Sequence, residues 1–363
     1  MRILVSGICG FVGSSIANGL LANVSSRELI GIDNLSRGGS QVNLEPLRKR
    51  GIAFRHADLR CASDLESIGK IDWIIDAAAN PSVLAGVDGS TSSRQLLEHN
   101  LYGTVNLLEV AKKNRAGFTL LSTSRVYSVK ALSEIPVVVK DAAFTPEPAV
   151  SLPDGATEHG IAENFSTTPP VSLYGASKVA SESIALEYGE AFDFPVWINR
   201  CGVLAGAGQF GHAEQGIFSF WINAYLRRRP LRYIGFDGAG HQCRDCLHPR
   251  DLLPILEKQF AGPDSNKPRV VNLGGGAENA MSLAQLSRWC EARFGAHSIA
   301  ADTTPRPFDV PWLVMDSRRA AATWNWRPTI KLESILDEIA RHAEAHPHWL
   351  EMSAGFGGPV LSR

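Results

Sequence analysis

The sequence has little of what marks a membrane-spanning, secreted or nucleic-acid-binding protein. No apolar stretch approaches the length of a membrane span, and no charged and then apolar leader precedes the first predicted strand. The 36 basic and 37 acidic residues give a formal net charge of −1, which excludes a global field that attracts nucleic acid. We therefore expect a cytoplasmic protein with no membrane or nucleic-acid partner.

Cysteine is also sparse, with six residues in a chain of 363. Only Cys243 and Cys246 are close, in CRDC. Such a pair could form part of a zinc site or a redox pair, but no second pair and no nearby His-x-x-x-His completes a metal site. We expect reduced thiols in the core and no bound metal. At 44% apolar and 20% charged, the chain has the composition of a globular protein, and its length suits two domains or one large one.

The first residues have the pattern of a phosphate-binding turn. The apolar run RILVS (2–6) leads into GICGFVG (7–13), and an apolar-periodic helix follows. Gly7 permits the tight turn, Gly10 lets the backbone approach a pyrophosphate, and Gly13 lets the helix pack on the strand. The helix N-terminus then faces the anion. This pattern predicts a dinucleotide site.

The identity of the dinucleotide is indicated by the next apolar run, ELIGID, which ends at Asp33. A carboxylate about 20 residues after the last glycine can bind the ribose hydroxyls of NAD. It would repel a phosphate on the 2′-hydroxyl, so the sequence favours NAD over NADP. Arg37 is close enough in sequence to keep NADP as an alternative.

Strand-like and helix-like segments continue to alternate along the first half. The runs at 52–59, 72–79 and 118–123 are predicted strands, and a predicted helix covers roughly 93–115. This alternation predicts an α/β fold with a Rossmann-type, doubly wound parallel sheet. Ligands of such sheets bind at the carboxyl ends of the strands, where the glycine loop and the hydroxyl-rich STS (122–124) fall.

The segment SLYGASKVASESIALEYG carries Tyr174 and Lys178 four residues apart, which places them on one face of a helix. A tyrosine hydroxyl titrates at about pH 10, and a neighbouring ammonium group stabilises its phenolate. The pair can therefore supply a base near neutrality. On an isolated helix this spacing would be a surface pattern; after a dinucleotide-binding sheet it predicts a catalytic pair.

Further segments carry a resemblance that spans residues 3 to about 328. They are, in order, GICGFVG, DNLSRGG, ADL, STSRVYS, YGASK, RDCLHPRDL, RPFD and WNWRP. On these segments the chain is identified as a member of the extended short-chain dehydrogenase/reductase family of nucleotide-sugar epimerases and dehydratases. Two positions depart from the family pattern, since Ser128 replaces a usual glycine and Asp76 a usual histidine.

The resemblance assigns the catalytic residues. In the family, the catalytic hydroxyl lies three residues before the valine of the strand-end motif, which selects Thr123 ahead of Val126. Thr123 is then expected to hydrogen-bond the reacting sugar oxygen, Tyr174 to remove its proton, and Lys178 to hold the ribose and tune Tyr174. The residues expected to bind NAD are Gly7, Gly10, Phe11, Val12, Gly13, Asp33, Asn34, Ser36, Arg37, Asp58, Leu59, Ala77, Ala78, Ala79, Asn100, Ser122, Tyr174 and Lys178.

Two arginines are candidates for holding the substrate diphosphate. Guanidinium groups pair bidentately with phosphate, which suits Arg244 and Arg306, although each could instead pair with Asp245 or Asp309. Arg200, at the end of PVWINR, fits a pocket residue and a buried ion pair equally well. The predicted substrate-binding residues are Asn80, Ser82, Thr123, Ser124, Arg125, Arg200, Gln209, Gln215, Arg244 and Arg306.

The residues after Thr123 bear on the reaction type. Family 4,6-dehydratases usually carry Asp-Glu there, whereas this chain has Ser124 and Arg125, so dehydration is disfavoured. STSRVY, DNLSRGG and GAGQFGHAEQG followed by CRDCLH resemble the CDP-paratose 2-epimerase subgroup, also called CDP-tyvelose epimerases. This implies 2-epimerisation of a CDP-linked (deoxy)hexose through a transient ketone. The alternatives are a UDP-sugar 4-epimerase, a dehydratase or reductase, and a non-catalytic NAD-binding protein.

The resemblance also implies how the chain is divided. Residues 1–200 should form the NAD-binding domain, with about 240–256 returning to it, and 201–345 a smaller α/β substrate domain before a tail at 346–363. In this family the helix at 93–115 and the helix carrying YGASK commonly form a four-helix interface. We therefore expect a homodimer by analogy.

Overall fold

The computed structural model describes residues 1–23, 27–87, 89, 92–212, 215–262, 264 and 266–354. Its strands are β1 (Arg2–Ser6), β2 (Glu28–Asp33), β3 (Ala53–His56), β4 (Trp73–Asp76), β5 (Gly117–Thr123), β6 (Val137–Lys140), β7 (Ala143–Pro146), β8 (Ala156–Thr157), β9 (Gly160–Ile161), β10 (Val196–Cys201), β11 (Val203–Leu204), β12 (Arg232–Ile234), β13 (Cys243–Leu247), β14 (Val270–Leu273), β15 (Ala280–Ser282), β16 (Ala300–Asp302) and β17 (Trp312–Leu313).

The helices alternate with these strands through the first half of the chain. They are α1 (Phe11–Asn23), α2 (Leu44–Lys49), α3 (Ala62–Glu66), α4 (Ser93–Leu97), α5 (Gly103–Asn114), α6 (Val129–Ser133), α7 (Ser172–Phe192), α8 (Ile217–Leu226), α9 (Leu253–Gln259), α10 (Leu283–Phe294), α11 (Arg318–Trp324), α12 (Leu332–Ala345) and α13 (Trp349–Ala354). A π-helical turn, Glu98–Tyr102, joins α4 to α5 within the helix predicted at 93–115. Among the described helices, none combines the length and the apolar character needed to cross a bilayer.

The main sheet has seven strands in the order β14-β10-β5-β4-β1-β2-β3, and all its strand pairs are parallel. Its central strands are apolar and buried on both faces, as expected of a parallel sheet covered by helices. One face packs against α1 and α9, and the other against α5 and α7. The strand order reverses between β1 and β4, where a crevice opens at the carboxyl edge. The predicted fold class is confirmed.

The smaller domain is built around a second sheet in which β11, β13 and β15 are neighbours and β17 pairs with β13. Its core is formed mainly by α8, α10 and α12. The segment at about 240–256 was predicted to return to the NAD-binding domain. Its first part, β13, belongs instead to this second sheet. The chain returns to the main domain through α9, which packs on α1, and then through β14 at the edge of the main sheet.

Two further segments form structure outside these sheets. Residues 129–171 contain α6 and the hairpins β6–β7 and β8–β9, and they pack around Trp312 and Met315. The predicted tail begins with α13, and Trp349 at its start is buried. The remainder of the tail, 355–363, lies outside the described residues. The six cysteines are free, and all but Cys61 are buried.

Candidate active site

The carboxyl ends of β1, β2, β4, β5 and β10 meet at one cleft of about 2210 Å³ that extends into the smaller domain. Most of the residues predicted to bind cofactor or substrate line it. They are Gly7, Gly10, Phe11, Val12, Gly13, Asp33, Asn34, Ser36, Arg37, Asp58, Leu59, Ala77, Ala78, Ala79, Ser122, Thr123, Ser124, Arg125, Tyr174, Lys178, Gln209, Gln215, Arg244 and Arg306.

The glycine loop after β1 leaves no room for side chains. Gly7 has a φ of +62°, and a Cβ there would lie 2.9 Å from the Ala78 Cα. A Cβ on Gly13 would lie 2.3 Å from the Gly7 carbonyl oxygen. The Gly10 N–H donates to the same carbonyl at 2.9 Å and closes the turn before α1. The loop therefore presents backbone and a helix N-terminus to the cleft, which fits a pyrophosphate.

Asp33 ends β2 at the rim of this loop. Its Oδ2 accepts from the Cys9 N–H at 2.9 Å and its Oδ1 from the Leu35 N–H at 2.8 Å. Burial raises the pKa of Asp33, while these two amides oppose the rise. The amides also fix the direction of the carboxylate, which lines the cleft where ribose hydroxyls would bind.

Arg37 does not face the cleft with a free guanidinium group. Its Nη1 donates to Gln215 Oε1 at 2.5 Å and its Nη2 to the Phe210 carbonyl at 3.2 Å. Both partners belong to the loop before α8, so Arg37 joins the segment after β2 to that loop. Two of its donors are thus engaged, which leaves fewer for a 2′-phosphate and weakens the NADP alternative.

Tyr174 and Lys178 lie one turn apart on α7, as the spacing predicts. The helix begins close to the cleft because the Ser172 hydroxyl accepts from the Gly175 N–H at 3.1 Å. Both side chains are buried, with 6% of Tyr174 and 2% of Lys178 exposed, so neither can have the surface role that the spacing alone allows. The two polar groups therefore face the cleft at the end of β5.

The electrostatics of Tyr174 differ from the sequence-based expectation. Burial raises the pKa of Tyr174 to about 12, and the Thr123 hydroxyl and the charge of Arg125 oppose the rise. Lys178 Nζ donates instead to the Leu121 carbonyl at 3.2 Å, and burial lowers the pKa of this ammonium group. Tuning of Tyr174 by Lys178 stays a prediction; Arg125 is the cation whose charge reaches Tyr174 here.

Gly175 explains why Thr123 and Tyr174 are close. A Cβ on Gly175 would lie 2.3 Å from the Arg125 carbonyl oxygen, so only glycine lets α7 pack on the turn after β5. Thr123 Oγ1 also accepts from the Arg125 N–H at 3.1 Å, which fixes its rotamer. The glycine of YGASK thus contributes to the site, and its place in that motif was the signal for it.

Ser122 points away from the reacting centre, although part of it reaches the cleft. Its hydroxyl donates to Glu182 at 2.5 Å, and Glu182 is paired with Arg200 at 2.7 Å. Burial lowers the pKa of Arg200, but the bonds to Glu182 outweigh it and the net shift is upward. Arg200 also donates to the Tyr127 hydroxyl at 3.3 Å. Arg200 is therefore placed in the buried ion pair and does not line the cleft, contrary to the substrate contact predicted for it.

Three other predicted ligands also lie behind the cleft wall. Asn100 accepts from the Asn80 N–H at 2.8 Å and donates to the Asn80 carbonyl at 3.1 Å. Ser82 accepts from the Leu84 N–H at 3.2 Å. Asn100 also donates to Ser177 at 3.2 Å, so it joins the loop after β4 to α7. Asn100 positions the wall of the cofactor site rather than contacting the cleft.

Arg244 and Arg306 line the substrate end of the cleft, as predicted. Arg244 pairs with Asp309 at 2.9 Å, which is one of the ion pairs left open by the sequence. Asp245 is directed elsewhere and accepts from the Gly276 N–H at 3.3 Å, and burial raises its pKa to about 7. Arg306 forms no ion pair with any residue that the structure describes, so its guanidinium group is available to a ligand.

An aromatic cluster beside the cleft was not predicted. Phe210 stacks on Trp349 with ring centroids 5.4 Å apart and an interplanar angle of 12°. Phe11, at the start of α1, belongs to the same apolar cluster, and Phe11 and Phe210 both line the cleft. Phe210 lies within the quoted motif GAGQF, but its partner in α13 follows in a segment that we had taken for a tail. The sequence therefore gave a signal for only one of the two stacked rings.

The profile of the NAD dependent epimerase/dehydratase family matches residues 3–274. The chain belongs to this family. It is 26% identical over 351 residues to the CDP-paratose 2-epimerase of Salmonella typhi, covering 93% of this chain and 98% of that protein. It is 28% identical to the dTDP-glucose 4,6-dehydratase of Streptomyces niveus, covering 80% and 78% of the two chains.

Solved structures share the fold. The UDP-glucuronic acid 4-epimerase of Bacillus cereus, in complex with UDP-glucuronic acid and NAD, superposes with a TM-score of 0.72 at 23% identity, covering 95% of this chain and 99% of that one. The predicted family, enzyme class and cofactor are confirmed. NAD is the cofactor of this enzyme, and the glycine loop and Asp33 are the parts of the cleft that fit it.

Proposed function

We propose that the protein epimerises C2 of a CDP-linked hexose or deoxyhexose, such as CDP-paratose, by transient oxidation to a ketone and reduction on the opposite face. The observation that carries the reaction type is the turn after β5. It joins Thr123 directly to Ser124 and Arg125, so the site has a hydroxyl pair for redox chemistry and no adjacent acid pair for removing water.

Three described groups near Thr123 are poor substitutes for that acid pair. Burial and Arg244 lower the pKa of Arg125 to about 10, so this side chain stays protonated near neutrality. The carboxylate of Asp309 is held by Arg244 at 2.9 Å and by Gln242 at 3.1 Å. Cys201 lies beside Thr123 across β10 and β5, but burial raises its pKa to about 12. A protonated thiol is not a base, which also argues against epimerisation by enolisation.

The protein's own residues then transfer a proton and hold the substrate in position. NAD, when bound, supplies the hydride acceptor and returns the hydride, so that the reaction is redox-neutral. Tyr174 removes the proton of the sugar hydroxyl, and Thr123 holds the same oxygen as it becomes a carbonyl. Arg244 and Arg306 hold the diphosphate while the keto-sugar rotates to present its opposite face. We propose that Lys178 holds the ribose of the cofactor.

The choice of C2 and of cytidine is supported by similarity. The Salmonella typhi enzyme is a CDP-paratose 2-epimerase by name and matches this chain over nearly the full length of both. The basic residue two places after Thr123 belongs to the pattern that resembles this subgroup. The second candidate is a UDP-sugar 4-epimerase, because a putative UDP-glucose 4-epimerase of Methanocaldococcus jannaschii is also 26% identical over 93% of this chain.

A panel of nucleotide sugars tests the proposal. Purified enzyme is incubated with CDP-paratose, CDP-glucose, UDP-glucose and UDP-glucuronic acid in deuterated water, and products are identified by NMR. We expect inversion at C2 of a CDP-sugar with no deuterium bound to carbon, because the substrate's own hydrogen returns as hydride. Inversion at C4 of a UDP-sugar would establish the second candidate. Deuterium on carbon would contradict the hydride mechanism.

We also propose that the protein is a cytoplasmic homodimer assembled through α5 and α7. Two large apolar side chains at the ends of these helices are exposed, Tyr102 at 59% and Phe192 at 39%. A second copy of the same surface would cover them. Light scattering coupled to size exclusion should give twice the mass of the chain, and Tyr102→Glu should shift the mass toward that of one chain. A wild-type mass of one chain would contradict the dimer.

A further inference from the structure

Arg125 lies between the catalytic hydroxyls and the arginines at the substrate end of the cleft. Its backbone N–H donates to Thr123 Oγ1 at 3.1 Å, and its Nη1 donates to the Phe308 carbonyl at 3.3 Å. Phe308 belongs to the RPFD loop, which also contains Arg306 and Asp309. Arg125 therefore connects the catalytic end of β5 to the RPFD loop.

This part of the cleft has an excess of positive charge. Arg125, Arg244 and Arg306 all line it and interact electrostatically with one another. The carboxylate of the same loop, Asp309, is bound by Arg244 at 2.9 Å and by Gln242 at 3.1 Å. Among the described residues, Asp309 attracts Arg125 electrostatically, but no carboxylate forms an ion pair or hydrogen bond with it. Three guanidinium groups against one engaged carboxylate favour an anion that carries more than one charge.

The position of this charge bears on which sugar carbon can react. In a nucleotide sugar, C2 is two bonds from the glycosidic oxygen of the β-phosphate, whereas C4 lies on the far side of the ring. An enzyme that oxidises C2 must therefore hold the β-phosphate next to its catalytic hydroxyls. Arg125 provides a cation there, because it is two residues from Thr123 and its charge reaches Tyr174.

We infer that Arg125 binds the β-phosphate of the substrate and, by holding it beside Thr123, brings C2 of the sugar to Tyr174. This inference rests on the proposed 2-epimerase function and makes Arg125 its specificity-determining residue. A carboxylate on the sugar is the other anion that Arg125 could bind. The shared cluster with Arg244 and Arg306 favours phosphate, since all three guanidinium groups line the same cleft and a diphosphate carries more than one negative charge.

Nucleotides without a sugar test the phosphate contact directly. CDP carries the β-phosphate and CMP does not, so calorimetric titration of both into the NAD-loaded enzyme isolates this contact; UDP and UMP serve if uridine binds better. We expect Arg125→Met to weaken CDP binding by about tenfold or more, the scale of a lost charge-assisted hydrogen bond, and to leave CMP within about twofold. Arg341→Met, on the exposed face of α12, is the matched control and should change neither.

Two results would overturn the inference. Equal weakening of CDP and CMP would show that Arg125 acts on the whole nucleotide, and unchanged binding of both would show that it binds no phosphate. If the methionine variant loses NAD or fails to fold, Arg125→Lys replaces it. Lysine keeps the charge but loses the planar pair of donors, so we expect about threefold weaker CDP binding with CMP unchanged. No loss of CDP binding in that variant contradicts the contact.

The carbon that reacts is measured separately on the wild-type enzyme, with CDP-sugar deuterated at C2 or at C4. A kinetic isotope effect from C2 alone supports the alignment, whereas an effect from C4 alone refutes both the alignment and the proposed function. If C2 gives the isotope effect but the Arg125 variants bind CDP as the wild type does, the proposed function is supported and the role of Arg125 is refuted. We further expect Arg125→Met to release ketone during turnover and accumulate reduced cofactor, seen in the nicotinamide absorbance.

Discussion

The cofactor half of the cleft is made largely of backbone, and the substrate half of charged side chains. In the first half, Gly7 and Gly13 bring main chain against main chain, and Asp33 is fixed by two amides. In the second, Arg125 and Arg244 come from separate segments of the chain and both line the cleft. Backbone geometry tolerates little variation and suits a fixed cofactor, whereas the side-chain half can change with the substrate.

The largest effect is expected where the two halves meet. Tyr174→Phe removes the proton acceptor and leaves the cavity shape, so epimerisation should fall by about 10³-fold, within the range for a lost general base. Bound NAD, measured after denaturation, should remain unchanged. Tyr188→Phe, in the same helix and bonded to Glu109 at 2.7 Å, is the control and should retain activity. Substantial turnover by the Tyr174→Phe variant would show that Tyr174 is not the proton acceptor.

The next largest effect is expected from the buried ion pair of Glu182 and Arg200 behind the cleft. Glu182→Gln leaves the Arg200 guanidinium buried without its carboxylate, and breaking such a pair costs about 3 kcal/mol or more. We expect that loss in the free energy of unfolding by denaturant titration. Glu187→Gln, an exposed position of the same helix, should cost less than about 0.5 kcal/mol. Equal small losses in both variants would mean that the pair adds nothing to stability.

The backbone half is tested by a pair of glycines with positive φ. Gly7→Ala and Gly51→Ala both impose strain of about 1 kcal/mol or more, but only the first also brings a Cβ within 2.9 Å of backbone. At Gly51 a Cβ meets nothing within 4 Å. We therefore expect both to lower the melting temperature and only Gly7→Ala to lose NAD. Retention of NAD by Gly7→Ala would contradict the close packing of this loop.

The smallest expected effect is a change in the pKa of Tyr174 when the charge of Arg125 is removed. The Arg125 cation opposes the rise in the pKa of Tyr174, so Arg125→Met should raise that pKa further. If the phenolate is the active form, activity increases as pH rises through this pKa. The acid limb of the pH profile of kcat should therefore move to higher pH in the variant, by up to about one unit. A limb that stays in place would separate Arg125 from the ionisation of Tyr174.

The parts of the site that could be predicted are those set by local chain geometry. Glycine spacing and the end of β2 predicted the NAD loop and Asp33, whereas Thr123 was selected by resemblance to the family motif that contains Val126. Arg200 could not be placed from the sequence, because its partner Glu182 lies on another element and the strand end alone fits a pocket equally well. The edge strand β14 was missed for a similar reason, since its pairing with β10 is set by tertiary contacts.

The aromatic contact of Phe11, Phe210 and Trp349 has a consequence for the enzyme in the cell. Together with the bond from Arg37 to Gln215, it connects the segments that follow β1 and β2 to the loop before α8 and to α13, beside the glycine loop. We expect one molecule of NAD to remain with the protein through many turnovers and through dialysis into buffer lacking it. An enzyme that keeps its own oxidant would work at a rate set by sugar supply and independent of the ratio of free NAD to NADH.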